Sequence, residues 1–159
     1  DNSYIISNGP VFDYERNVGY VTDSIKRIIY IFSINDLSGN GINKKVFLSM
    51  NKIDGNPDGM TVDKNGNLWV AMWGSGKVCC FDKKGSLKLI LQLPVSKVTS
   101  CTFGGKNLNE LFITTASVGL NDIEAERQPH AGKIFKFVTQ EQGYASNCYR
   151  SENIPDLYH

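Results

Sequence analysis

The sequence predicts an all-β protein made of β-propeller blades, each a sheet of four antiparallel strands, with about three blades in the chain. Three observations carry this reading. Short segments rich in β-branched and aromatic residues alternate with Gly- and Asn-containing turns from end to end. The segments also recur: Tyr20, Trp69 and Phe112 occupy matching places, at intervals of 49 and 43 residues. No convincing amphipathic helix interrupts them. Repeats of roughly 40–50 residues with four short strands are the signature of propeller blades, each burying its faces against its neighbours. The alternative is a β-sandwich with accidental periodicity.

The elements follow in order. The first blade covers approximately 7–50. Its inner strand opens at Ser7-Asn8-Gly9-Pro10-Val11, followed by Val18–Asp23, Arg27–Phe32 and Lys45–Leu48, with a turn at Leu37–Gly41. The second covers 53–94, with Pro57–Val62, Asn67–Met72, Lys77–Phe81 and Leu87–Leu91, and Asn-Gly or Lys-Gly turns at 64–67 and 83–86. The third covers 98–140, with Thr99–Phe103, Glu110–Thr115 and Lys133–Phe137 and a turn at Gly104–Asn107. An insertion between Ser117 and Ala131 lengthens this blade, and Leu120–Glu126 within it can form about one helical turn. Phe32, Phe81 and Phe137 end corresponding strands, and with Tyr20, Trp69 and Phe112 they are expected to pack between blades. The tail, 141–159, has few apolar repeats and is expected to fray unless a further blade holds it.

Propellers have about four to eight blades, so three do not close a ring. The 159 residues suit one domain by length, yet the repeat makes them about half of a six-bladed ring. The chain opens Asp1-Asn2-Ser3 without an initiator Met, and the expectation is that the natural N-terminus lies upstream.

Composition narrows the chemistry. Seventeen Lys and Arg against sixteen Asp and Glu give a net charge of +1, which argues against a nucleic-acid partner. No apolar run approaches the roughly 20 residues of a membrane helix. The cysteines are Cys79, Cys80, Cys101 and Cys148; there is no CxxC, and the adjacent pair would point to opposite faces of a strand. Reduced thiols and a cytoplasmic location are expected. His130 and His159 are the two histidines, too few for a His-rich zinc or iron site, so a metal centre would be built from oxygens and suit calcium, magnesium or manganese.

Asn8 and Asp58 fall at the same place in their repeats, where the inner strand enters the channel, and each is followed by Gly. An amide carbonyl and a carboxylate at a channel mouth are oxygen ligands for a hard cation. Asn-Gly and Asp-Gly are equally ordinary turn pairs, and the residues alone leave both readings open. Trp73, with Met72, and Ser100 are weaker candidates for edging a pocket, Ser100 and Cys101 are expected to face the channel, and Asp23 is a candidate for closing a turn or binding a metal.

Longer stretches carry a family resemblance. They are Ser7-Asn8-Gly9, Tyr20-Val21-Thr22-Asp23-Ser24, Pro57-Asp58-Gly59-Met60, Gly66-Asn67-Leu68-Trp69-Val70-Ala71 and Leu93-Pro94-Val95 running to Thr99-Ser100-Cys101-Thr102-Phe103-Gly104-Gly105. Leu111–Ala116 and Gln128-Pro129-His130-Ala131-Gly132-Lys133-Ile134-Phe135 complete the set. In order and spacing, residues 7 to about 138 resemble the family of senescence marker protein 30 (regucalcin), the gluconolactonases and luciferin-regenerating enzyme. The resemblance implies a six-bladed propeller, one divalent cation (calcium, zinc, manganese or magnesium) and hydrolysis of small sugar lactones. It makes Asn8 and Asp58 metal ligands and Asp58 also the general base. It implies further that a third ligand, a Glu, and the substrate-holding Arg, Asn and Glu belong to blades that precede this chain. The expected function is therefore a divalent-metal-dependent lactonase, or the C-terminal half of one. The alternatives are a non-enzymatic calcium-binding regulatory propeller and a truncated inactive relative. The expected partner is a missing N-terminal half, or a second copy covering the exposed blade faces.

Overall fold

The computed structural model describes residues 3–38 and 42–146. Cys148 and His159 lie outside the described residues, as do part of the turn expected at 37–41 and the tail beyond residue 146. Strands form where the sequence alternates branched or aromatic residues with small and polar ones. The first sheet runs β1 (Ser7–Asp13), β2 (Val18–Asp23), β3 (Ile28–Ser33) and β4 (Lys45–Ser49), paired in chain order. A short 3-10 helix, Ile34–Ser38, leads out of β3. The second sheet is β5 (Asn56–Val62), β6 (Leu68–Trp73), β7 (Lys77–Phe81) and β8 (Leu87–Gln92), again in chain order. The third is β9 (Val98–Gly104), β10 (Glu110–Thr115) and β11 (Phe135–Val138). All pairings are antiparallel, and the first strands lie side by side, β1 beside β5 and β5 beside β9. These are consecutive blades of a propeller.

Packing between sheets supplies the core. Tyr20, Ile29 and Met50 meet Met60, Val62, Leu68, Val70, Met72, Cys79 and Phe81 between the first and second sheets. Trp69, Ala71, Val78 and Cys80 meet Leu93, Val95, Val98, Cys101, Phe103, Leu111 and Ile113 between the second and third. The central strands β6 and β7 of the middle sheet are therefore buried on both faces, and β6 reads as a continuous apolar run rather than an alternating one. Burying one large apolar side chain contributes about 1.5–3 kcal/mol. Trp69 and Phe103 add an edge-to-face contact, 5.7 Å between centroids at 90°. Cys79 and Cys80 enter opposite cores, as alternation requires.

Four details differ from the sequence reading. β3 begins at Ile28, because Arg27 has a φ of +57° in the hairpin turn and its guanidinium donates to the carbonyls of Met50 and Ile53. Cys101 turns into the core rather than the channel, its thiol donating to the Trp69 carbonyl. Phe137 is 41% exposed, since nothing among the described residues packs beyond it. The start of the tail is held rather than frayed: Lys64 N donates to Gln142 O at 2.8 Å, Gly143 N to Leu108 O at 2.8 Å, and Arg16 Nη1 to Tyr144 Oη at 3.3 Å. Residues 142–144 thus touch the inner-strand turns of all three sheets. The insertion folds as α1 (Asp122–Arg127), started by a capping box in which Asn121 and Glu124 bond each other's backbone N–H.

Candidate functional site

The inner strands lose regular pairing near their N-terminal ends. β1 shifts register between Asn8 and Val11, β5 between Pro57 and Met60, and β9 opposite Thr114–Thr115. A bulge of this kind leaves a residue unpaired and re-aims its side chain. Asn8 and Asp58 sit at the first two of these irregularities. The glycines that follow them have a steric reason. A Cβ on Gly9 would stand 2.8 Å from the Met60 methyl, and one on Gly59 would stand 2.3 Å from Ser100 Oγ. Gly9 also has a φ of +87°, which side-chain-bearing residues rarely adopt. Each glycine lets the next inner strand close in beside the polar residue that precedes it.

The two polar groups are held differently. Asn8 Nδ2 donates to Ser24 Oγ at 2.8 Å, which leaves the carbonyl end of the amide outside that bond. Asp58 is half-buried and has no ion pair or side-chain hydrogen bond among the described residues. Burial pushes its carboxyl above the ordinary range, with the Gly59 amide pulling the other way. Asp23 is occupied instead. Its carboxylate accepts from Ile5 N at 3.0 Å and Lys26 N at 3.2 Å, and lies 3.3 Å from the Lys26 ammonium. Burial works against that anion, but these donors hold its carboxyl below the usual range, so Asp23 closes a turn.

Ser100 lies against Gly59, next to Asp58 in the chain. Trp73 pairs with Asn56, two residues before Asp58, and its ring lies 5.5 Å from the Lys97 ammonium. Met72 is fully buried and takes no part. The buried thiols are pushed up to about 11 at Cys79 and about 12 at Cys80 and Cys101, which makes them poor nucleophiles. A hollow of about 550 Å³ lies at the other end of the inner strands, against Val11, Thr61, Thr102 and Tyr144, and includes neither Asn8 nor Asp58. Oxygen donors rather than hollow size mark the site.

A family profile described as SMP-30/Gluconolactonase/LRE-like region matches residues 1–117. This chain belongs to that family. The family assignment agrees with the blocks around Asn8 and Asp58 read from the sequence. The Bacillus subtilis (strain 168) protein named "Putative sugar lactone lactonase YvrE" is 39% identical over 140 residues, covering 87% of this chain and 48% of its own. Regucalcin of Homo sapiens is 37% identical over 132 residues, covering 82% and 44%. Among solved structures, a calcium-binding protein, regucalcin, from Agrobacterium tumefaciens superposes with a TM-score of 0.85 at 25% identity, over 93% of this chain and 50% of that one. A gluconolactonase from Xanthomonas campestris gives 0.56 at 32% identity, over 68% and 34%. The chain spans about half the length of the relatives it matches.

The donor types suit a hard divalent cation: a carboxylate with no side-chain partner among the described residues, an amide carbonyl, and a closely packed glycine after each. Among the described residues no group of three or more His, Cys, Asp or Glu is placed to hold a metal. No helix among the described residues is long and apolar enough to cross a membrane.

Proposed function

We propose that the chain carries the cation-binding, water-activating side of a divalent-metal-dependent lactonase acting on sugar lactones. The observation that supports this best is Asp58: a half-buried carboxylate without a side-chain partner among the described residues, at a strand irregularity matched by that of Asn8, in a chain of the gluconolactonase family. Asn8 and Asp58 would hold the cation. When bound, it supplies Lewis acidity toward the lactone carbonyl. Asp58 would take a proton from the water that adds to that carbonyl and return it to the ring oxygen as the C–O bond opens, giving the hydroxy acid. A neighbouring positive charge favours the ionised carboxylate, so Asp58 acts as an ionised but modest base. Ser100, beside Gly59, and Trp73 are the substrate contacts in this reading.

The test is hydrolysis of glucono-δ-lactone by the protein bearing this chain, followed by acid release with calcium, zinc or manganese. The expected result is cation-dependent turnover that falls at least 100-fold in Asp58→Ala, on the scale of general-base catalysis. Turnover that survives chelation, or Asp58→Ala, overturns it. A second reading, cation binding without turnover, is favoured by the sparse ligand set among the described residues. It would appear as cation-dependent thermal stabilisation with no acid release.

A further inference from the structure

We propose that the open edge of β11 receives one extended segment, with apolar side chains at alternate positions, from the part of the protein that lies outside this chain. The sheets differ in a way that points there. The first and second have four strands, and in each the fourth, β4 or β8, comes from the residues that follow the third strand. The third sheet has three, in the order β11-β10-β9, so β11 is its outer edge. The residues after β11 turn inward instead: Thr139 N donates to Asn109 O at 2.9 Å, and Gly143 bridges to Asp63. The place that β4 and β8 fill in their own sheets is open in the third among the described residues.

That place has the chemistry of a strand site. The bond from Thr139 N–H to Asn109 sets the alternation along β11: Phe135 and Phe137 bond toward β10, so the N–H and C=O groups of Lys136 and Val138 point outward. Unpaired groups along an edge are a template for a further strand. The flanking walls are apolar. Phe135 and Phe137 lie opposite Ile113 and Leu111, on the face turned to the second sheet. Leu89 and Leu91 of β8 lie opposite Cys80 and Val78, on the face turned to the third. Leu89 and Phe137 are each 41% exposed, and a hollow of about 150 Å³ opens between Leu91 and Pro94 on one side and Phe135 and Phe137 on the other. A strand laid there gains backbone bonds from β11 and buries every second side chain against the leucines and phenylalanines.

Residues 147–159 do not read as that strand, because no three successive alternate positions among them are apolar and residue 155 is Pro. A second copy pairing through its own β11 would bring a second β8 onto ground that the first β8 already overhangs, so the place has room for one strand and not for a sheet. The chain spans 48% of the Bacillus subtilis relative and 50% of the Agrobacterium structure, which leaves a comparable length of polypeptide to supply one strand.

The experiment follows amide exchange by NMR in the full chain, with the peptide acetyl-Lys-Val-Thr-Val-Thr-Val-Lys-amide as the probe strand. The expected result is exchange at Lys136 and Val138 slowed on the order of tenfold or more by the peptide, with little change at Phe135 and Phe137, which already bond to β10. The same peptide with Asp in place of each Val should not bind. Leu89→Lys leaves β11 intact but sets a charge against the strand, and should weaken binding about tenfold or more. Should Leu89→Lys not fold, Val138→Pro takes its place, since it removes an outward N–H that β10 does not use. No slowing at millimolar peptide overturns the proposal, as does equal binding by the parent and the folded variant. Without peptide, both amides should exchange freely in the chain alone and be protected in the protein bearing it; equal exchange in the two overturns the source. Protection in the chain alone overturns it as well: if it grows with protein concentration the edge belongs to a second copy, and if it is lost on truncation after Ser146 it belongs to the tail.

Discussion

Asp58 and Asp63 lie five residues apart, one on β5 and the other just past its end, and their surroundings are opposite. Asp63 is fully buried. Its Oδ1 accepts from Asn65 N and Asn67 N, both at 2.9 Å, and its Oδ2 from Asn67 Nδ2 at 2.7 Å and Trp69 Nε1 at 2.9 Å. Asp58 is less buried, yet no described side chain bonds its carboxylate. A buried charge is tolerated when its lone pairs are matched by donors, and is costly when they are not. One carboxylate therefore ties a turn to the core, and the other keeps its oxygens available at a raised energy. The same strand ends in a structural carboxylate and begins with one that has no side-chain partner among the described residues.

The contrast can be broken by substitution. The largest effect is expected at Asp63, where Asp63→Ala strands the Trp69 indole N–H and two backbone amides. Each buried donor left unpaired costs about 1–3 kcal/mol, so the loss should reach about 3–5 kcal/mol in urea denaturation. A loss below about 1 kcal/mol would mean the network is not structural. Asp23 comes next. Its folded carboxyl titrates below the usual range, so its contribution is present above the unfolded value of about 4 and disappears as pH falls through the folded value. Asp23→Ala should cost about 1–2 kcal/mol at neutral pH, for two lost amide acceptors, and the difference should shrink on acidification below about pH 4. A gap that stayed constant to pH 2 would deny Asp23 its anionic role. The smallest effect is expected at Asp58: with chelator present, Asp58→Asn should alter stability by no more than about 0.5 kcal/mol. A larger loss would place Asp58 with Asp63 as a structural group.

Much of this was legible in the residues. The 49-residue interval from Tyr20 to Trp69 located two inter-sheet cores because an aromatic side chain too large for one sheet's surface must be buried against the next. The special glycines after Asn8 and Asp58 were visible in the sequence, and the strand contacts explain why no side chain fits there. Other features depend on tertiary placement. Strand alternation gives Cys101 one of two faces without saying which is buried, and the irregularity near Val98 sets that phase. The saturation of Asp63 required knowing that Asn67 and Trp69 return to it, and an Asp near an Asn-Gly turn carries no sign of this. Phe137 shared its repeat position with Phe32 and Phe81 but not their burial: Phe81 enters an inter-sheet core, whereas Phe32, expected between blades, is covered by Phe12 and Gly19 of its own sheet.

The segment at 142–144 has a consequence for the order of assembly. Nearly every strand pairing joins neighbours in the chain, so each sheet can form from its own hairpins at small cost in loop closure. The contact of Tyr144 with Arg16 spans 128 residues and requires all three sheets to be in place first. It is expected to close after the sheets and their two apolar interfaces have formed, adding a clasp across the three inner turns to the cores that already join them.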